Sequence, residues 1–425
     1  MAQKNNTAIS LSILAIIELL ERLGYYGARS IIVLFAVNSE HLALDDGDAL
    51  SYYGTISLLI GVMALPMGVL SDFVFKQKAG VLLGSVLLFF GYLLLMSANL
   101  FLIGIAMLLI ILGTGLFRTN MMVLIGRLFP KTDKKRDAGF FAFYLAINIG
   151  AFLGALIIGF SSEEKGYIFG FGVCAAALFL ATILFYFTKD TFILRELGEQ
   201  PPLKYTEVVD SPIFHIPKDV NPQNHNNRLL VLLLLVFVSA LFWGIYEIVG
   251  NYYYPILYAK ENLTLFGVSF TIAFQLFSGL VTLPLLIVMT LVGYFGNLGS
   301  SLGKVGIGLL LLSAFGLMVG QIGNIGDDSL IAYSFGAFAL VGIAEVLVSP
   351  IIMSYVTRLS DVRYASTMVG LLIVIPSLVT KFIGFLETNF EVEAPVYSVS
   401  LIALIIGILF LVFRKQLKVE AGGLD

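Results

Sequence analysis

The stretch AISLSILAIIELLERLGYYGARSIIVLFA, residues 8–36, is apolar at both ends and charged in the middle. At about 1.5 Å per residue it is long enough to cross a bilayer core of roughly 30 Å as one α-helix. Its centre nevertheless holds Glu18, Glu21, Arg22 and Arg29. Each charge at a helix centre costs on the order of 2.5–3.5 kcal/mol on insertion scales, so these groups demand partners or a water-filled cavity. Glu18, Glu21, Arg22, Tyr25, Tyr26 and Arg29 stand at i, i+3, i+4, i+7, i+8 and i+11, which is one face of a helix. A membrane span with one polar stripe reads as the lining of an interior pathway in a polytopic protein.

The remaining sequence supports that reading. Of 425 residues, 59% are hydrophobic and only 12% charged, whereas soluble domains carry about 25% charged residues. With a mean hydropathy of +0.96, a soluble core would leave very large exposed apolar patches. Lipid-length runs lie at 8–36, 50–74, 78–97, 100–126, 138–160, 166–188, 229–259, 264–295, 301–322, 329–357, 364–388 and 395–413. They predict an all-α membrane protein of twelve transmembrane helices in two six-helix bundles, residues 1–188 and 229–425. Between the bundles, residues 189–228 hold Pro201, Pro202, Pro212, Pro217 and Pro222 among mixed charges, which predicts an extended cytoplasmic linker. Equal halves of this kind suit a fold that rocks about a midplane site.

Loop charges give the orientation. With a cytoplasmic N-terminus, the inside segments hold Lys76, Lys78, Arg127, Lys131, Lys134, Lys135, Arg136, Arg358, Arg363, Arg414, Lys415 and Lys418. The outside loops hold Lys165 and Lys260 but are acidic at Asp45, Asp46, Asp48, Glu163, Glu164, Asp327, Asp328, Glu391 and Glu393. This bias predicts both termini in the cytoplasm and a multi-pass protein of the cell (inner) membrane. The polar residues 1–10 lead into the first span without a small-residue cleavage site, so that span is expected to be retained. A net charge of −3 is near neutral and argues neither for nor against an acidic or basic partner, and no nucleic acid is expected. The single cysteine, Cys174, excludes a disulfide framework and a thiolate metal site, and no cofactor is expected. A monomer would serve, since nothing in the sequence specifies an oligomer.

Arg118, Glu247, Glu345 and Lys381 also fall inside spans. His41, His215 and His225 all lie in loops, so a proton relay within the membrane has to run through carboxylates, with Glu21, Glu247 and Glu345 as candidates. Sodium is the alternative ion, yet no span combines a broken helix with a carbonyl-rich pattern. A structural ladder of Glu18 or Glu21 with Arg22 is the plainer reading of the first helix, but it leaves Arg29 without a role. Glu345 stands five residues before Pro350, and no basic residue follows it in the span before Arg358, so its partner is expected from elsewhere. Trp243 lies one turn before Glu247 and shares its face, as cavity wall or as packing. Lys381 is expected to snorkel or to pair with Glu387 or Glu247. Gly150 and Gly154, four apart, predict close helix packing. The absence of an in-span histidine and of a serine nucleophile turn argues against an intramembrane enzyme.

Several motifs carry more information together than singly. The first helix reads Glu18-Leu-Leu-Glu21-Arg22-Leu23-Gly-Tyr25-Tyr26, the fourth Gly113-Thr-Gly115-Leu-Phe117-Arg118-Thr119-Asn120, and the fifth Phe143-Tyr144-Leu-Ala-Ile147-Asn148-Ile-Gly150. The seventh has Phe242-Trp243 and then Glu247, and the tenth Glu345-Val-Leu-Val-Ser349-Pro350. In that order, over nearly the whole chain, they resemble E-x-x-E-R-F-x-Y-Y, G-x-G-x-F-K-P-N, F-Y-x-x-I-N-x-G and the later motifs of the proton-dependent oligopeptide transporter family of the major facilitator superfamily. Gly68-Val-Leu70-Ser71-Asp72 resembles the helix 2–3 loop signature of that superfamily and is expected to tie helix ends together.

The resemblance implies roles. Arg29 and Arg118 would hold a peptide's carboxylate, Glu345 its amino group, and Tyr26 and Asn148 its backbone, with Tyr25, Trp243 and Ser349 in the same substrate-binding set. Glu18, Glu21 and Arg22 would link protonation to movement of the first helix, and Glu247 would take part in proton release. Some positions depart from the pattern: Arg118 stands where the family has lysine, Thr119 where it has proline, Leu23 for phenylalanine, Leu371 for tryptophan and Ser278 for asparagine. The resemblance therefore implies a proton-coupled importer of di- and tripeptides. The alternatives are a carrier of the same fold retuned to another small anion or zwitterion, and a non-transporting membrane receptor or scaffold.

Overall fold

In a computed structural model, the backbone is described for residues 2–38, 42–97, 99–189, 222–258, 264–265, 268–390 and 395–421. Side chains are described for residues 7–38, 42–45, 47–49, 51–97, 99–189, 227–246, 279–326, 329–382 and 396–421. Most of the expected linker 189–228 lies outside these residues.

Twelve α-helices occupy the described chain: α1 (Ala2–Val37), α2 (Asp46–Phe73), α3 (Gln77–Leu95), α4 (Leu100–Arg127), α5 (Arg136–Lys165), α6 (Tyr167–Thr188), α7 (Pro222–Tyr258), α8 (Phe270–Phe295), α9 (Ser301–Gly320), α10 (Asp327–Leu359), α11 (Ala365–Phe390) and α12 (Pro395–Glu420). Each predicted span has its helix. Ten of these are long and apolar enough over their described residues to cross a bilayer. The other two are α1, with its four central charges, and α8, whose described apolar stretch is the shorter Gly279–Phe295.

One boundary differs from expectation. Residues 264–269 were expected to open the eighth span, but Thr264–Leu265 (β1) and Val268–Ser269 (β2) pair antiparallel before α8 begins. Helix starts elsewhere carry the capping residues that physical chemistry asks for. Asp45 accepts from the Gly47 amide at 3.1 Å, Asn99 from the Phe101 amide at 3.0 Å, and Ser300 from the Gly303 amide at 3.1 Å.

The chain forms two compact units, one of Met1–Pro130, Ala142–His215 and Ser360–Val374, the other of Lys131–Phe141, Ile216–Leu359 and Ile375–Asp425. In the first unit α3 packs on α4, α1 on α6, α2 on α4 and α3 on α6. In the second α9 packs on α10, α7 on α12, α8 on α10 and α9 on α12. The second set is the first shifted by six helices, so packing reveals the internal repeat that one diverged sequence hides.

Each unit also holds a buried polar knot at a helix end. In the first unit Asp72, ending α2, accepts from the backbone amides of Ser366 and Thr367 at 3.1 and 2.7 Å, and from Thr367 Oγ1 at 2.8 Å. A carboxylate there meets the positive end of the α11 helix dipole. Asn120 of α4 completes the knot, donating to Ser71 Oγ at 2.7 Å and accepting from Ser366 Oγ at 3.1 Å. The loop signature around Asp72 therefore does tie helix ends together. In the second unit Asp137, in the first turn of α5, accepts from Ser301 Oγ, from Ser354 Oγ at 2.6 Å and from Arg358 Nη2 at 3.1 Å.

Candidate functional site

The polar stripe of α1 folds into a buried ion cluster. Glu18, Glu21 and Arg22 are 2%, 0% and 1% exposed. Arg22 Nε lies 2.9 Å from Glu18 Oε1 and 2.6 Å from Glu21 Oε2. Nε, Nη1 and Nη2 are all buried and make no hydrogen bond of good geometry among the described residues, so the contacts with the two carboxylates are close ion pairs. Glu18 and Arg22 meet because they are one turn apart on the same face.

Arg118 of α4 supplies the second positive charge. Its guanidinium carbon sits 5.7 Å from the centre of the Tyr25 ring, and that of Arg22 sits 5.4 Å from the same centre. It is also within Coulombic reach of both Glu18 and Glu21. The four groups sum to no net charge, which is the arrangement that lowers the cost of burial. Tyr26 packs edge-on against Tyr25, ring centres 5.2 Å apart.

Helix α5 sets the position of the cluster from behind. A Cβ on Gly150 would stand 2.5 Å from the Leu19 carbonyl oxygen and 2.7 Å from Arg22 Cβ. One on Gly154 would fall closer still to the Leu23 carbonyl. Both glycines let the two backbones touch, as their spacing predicts. Asn148, half-buried two residues before Gly150, donates from its amide nitrogen to Tyr144 O at 3.0 Å.

Arg29 has different company. Its Nε donates to the hydroxyl of Tyr53 on α2, and its guanidinium lies over that ring at 5.6 Å. No carboxylate pairs with it among the described residues. Arg29 and Arg118, expected to act together, thus have distinct protein partners, a phenol for one and the carboxylate cluster for the other. The sequence reading did not single out Tyr53. Its only signal was a pair of tyrosines, Tyr52 and Tyr53, early in an apolar span.

In the second unit Trp243 is half-buried on α7, with ring contacts to Phe242 at 5.4 Å and Tyr246 at 5.5 Å. Glu345 is half-buried on α10. One turn later Ser349 is 6% exposed, and its hydroxyl has no hydrogen-bond partner among the described residues. Lys381 on α11 is exposed. The side chains of Glu247, Ser278 and Glu387 lie outside the described residues. No group of three or more potential metal ligands occurs among the described residues.

Comparison with known proteins follows the same lines. The family model described as POT family matches residues 52–209. A di-/tripeptide transporter of Lactococcus lactis subsp. lactis is 25% identical over 475 aligned residues, covering 94% of each chain. A peptide transporter of Yersinia enterocolitica is 35% identical over 183 residues, 41% of this chain and 35% of its own length. Among solved structures, a POT family transporter in complex with 5-aminolevulinic acid superposes with a TM-score of 0.71, at 22% identity and 96% coverage of both chains. A peptide transporter POT in complex with sulfate gives 0.69 at 22% identity, over 97% of this chain and 95% of that one. Residues 52–209 match the POT family model, and sequence relatives and similar folds run nearly the whole length of this multi-pass membrane protein.

Proposed function

We propose that the chain is a proton-coupled symporter that imports di- and tripeptides by alternating access across the cell (inner) membrane, with both termini cytoplasmic. The observation that carries this reading is the cluster of buried Glu18, Glu21 and Arg22 with half-buried Arg118 beside them, whose formal charges sum to zero. Adding a proton alone leaves one uncompensated positive charge there. Adding a substrate carboxylate alone leaves one negative charge, and adding both restores balance. Two unit charges ~8 Å apart at an effective dielectric constant near 20 interact by about 2 kcal/mol, the size of a typical coupling free energy. Proton and carboxylate therefore favour each other's binding without touching.

Within this reading Glu21 carries the proton, and Glu18 and Arg22 transmit its charge along α1. Arg29 and Arg118 hold the substrate's carboxylate, since a guanidinium fork matches a carboxylate bidentately. Glu345 takes the amino group, with the orphan hydroxyl of Ser349 one turn away as a further acceptor. Tyr26 and Asn148 meet the peptide backbone, Tyr25 and Trp243 wall the site, and Glu247 takes part in proton release. The names of the relatives, a di-/tripeptide transporter and a peptide transporter, support a peptide as cargo.

A second reading, a carrier of another small anion or zwitterion, is favoured by Arg118 in the lysine position and by a similar fold holding 5-aminolevulinic acid. Uptake into proteoliposomes under an imposed inward proton gradient, with a peptide library competing, separates the two. The proposal requires gradient-dependent accumulation competed by di- and tripeptides. Stronger competition by zwitterions that lack a peptide bond would replace it with the second reading.

A further inference from the structure

Tyr92, the one tyrosine of α3, is a buried polar side chain that none of the roles above uses; it is 1% exposed. Its place is set by Gly24 of α1. A Cβ on Gly24 would stand 3.6 Å from Tyr92 Cε2 and 3.3 Å from the Cys174 carbonyl oxygen of α6, and closer still to Leu178 Cδ2. Without a side chain there, α3 and α6 both close on α1. Cε2 is the ring carbon beside the one that bears the hydroxyl, so the phenol meets α1 at Gly24. Glu21 lies one turn earlier on the same face. Tyr92 is accordingly within Coulombic reach of Glu21, Arg22, Tyr25 and Cys174.

Glu21 needs what a phenol supplies. Neither of its oxygens accepts a hydrogen bond of good geometry among the described residues, although Arg22 Nε lies 2.6 Å from Oε2. The charged and titratable groups around it are Glu18 and Arg22 on α1, Arg118 on α4 and Tyr92 on α3, with Cys174 of α6 beside Tyr92. Helix α5 meets α1 there through Gly150, which brings no side chain. Tyr25, one turn after Glu21, has its ring beneath the guanidinium groups of Arg22 and Arg118. A thiol is a weak donor, whereas a phenolic O–H is a strong one whose proton rotates to suit its neighbour. Tyr25 and Tyr92 also line an apolar cavity of about 370 Å³, and in such surroundings a hydroxyl dipole is little screened.

We infer that Tyr92 is a positioning residue of the proton site, whose hydroxyl stabilises the ionised carboxylate of Glu21 from the α3 side and so sets the pH at which the proton leaves. The inference rests on the reading of Glu21 as the proton carrier. Its sign follows from the chemistry: a donor favours the anion, so a carboxylate deprived of that donor keeps its proton up to higher pH. Because proton and substrate carboxylate favour each other's binding, substrate affinity falls as pH rises through the same midpoint. Loss of the hydroxyl moves that fall upward by about one pH unit, the size expected of one hydrogen bond to a charged group.

The test is an infrared titration of the purified full chain, following the protonated-carboxyl band that Glu21→Gln removes. It needs no substrate. Tyr92→Phe, which deletes only the hydroxyl, should raise the midpoint of that band by about one pH unit. The affinity for Ala-Ala, measured over the same pH series, should fall at a correspondingly higher pH in Tyr92→Phe. In the Glu21→Gln background, Tyr92→Phe should move nothing with pH. A band midpoint that Tyr92→Phe leaves in place would overturn the inference, even if the variant transports poorly, and would make Tyr92 a packing residue. If Tyr92→Phe is not recovered folded, Tyr92→Leu also lacks the hydroxyl and is judged by the same midpoint. Failure of the proton reading looks different: Glu21→Gln then removes no titrating band, and the inference falls with it.

Discussion

Arg22 is the residue on which the account turns. It forms close ion pairs with Glu18 and Glu21, and its buried guanidinium makes no hydrogen bond of good geometry among the described residues. Removing one partner of a buried pair strands the other, at a cost of about 3–5 kcal/mol. Arg22→Ala should therefore reduce folded yield as well as transport. Glu21→Gln is gentler because it imitates the protonated acid. We expect it to abolish accumulation against a gradient while counterflow exchange of substrate persists, and concentrative uptake by this variant would remove Glu21 from the proton path. At Arg118, replacement by lysine should weaken binding of a free-carboxylate peptide less than replacement by alanine, since charge is kept and only the fork is lost. Affinities for a peptide and its amide in both variants check this, and equal losses for the two ligands would indicate a structural role. Glu345→Gln should lower affinity for a free-amine peptide strongly and for its N-acetyl form little. Equal effects on the two ligands would contradict a role for Glu345 at the amino group.

At the scale of elements, α5 and α1 are held at backbone contact by glycine. Gly154→Ala places a methyl against the Leu23 carbonyl and should destabilise the protein by about 1–3 kcal/mol, the usual cost of overpacking. Gly159, on the same helix, offers a control, since a Cβ there meets nothing within 4 Å. Gly159→Ala should be neutral or stabilising by up to about 1 kcal/mol through helix propensity. Melting temperatures of the two variants in detergent decide, and similar shifts in both would deny the close packing. This contact was legible in the sequence because glycine spacing on a helix projects directly onto a face. The Glu18–Arg22 pair was legible for the same reason. The partners of Arg29 and Asp72 were not. Tyr53 is 24 residues from Arg29, and Ser366 is 294 residues from Asp72, distances at which periodicity says nothing. The β1–β2 pair was missed because a short apolar run looks the same as strand or helix by hydropathy.

For the whole molecule, hydropathy and punctuation were enough to place twelve helices, since lipid allows few other ways to satisfy a backbone. The repeat was not legible, because it resides in which helices pack rather than in which residues recur. Orientation rests on loop charge and has its own check. Cys174 is buried, so a chain with Cys174→Ser provides a background for single cysteines. A cysteine at Glu164 should react with an impermeant reagent from outside intact cells, and one at Lys134 only after permeabilisation. The opposite pattern would invert the topology.

The central claim is that proton and substrate carboxylate enter together through the charge balance of the α1 cluster. The most direct measurement places a pH-sensitive dye inside proteoliposomes, adds Ala-Ala outside with no imposed pH gradient, and follows internal pH. The account predicts that the lumen acidifies as dipeptide enters through the wild-type protein and that Glu21→Gln abolishes the acidification. Dipeptide entry through the wild-type protein without acidification, or undiminished acidification in the variant, would contradict it.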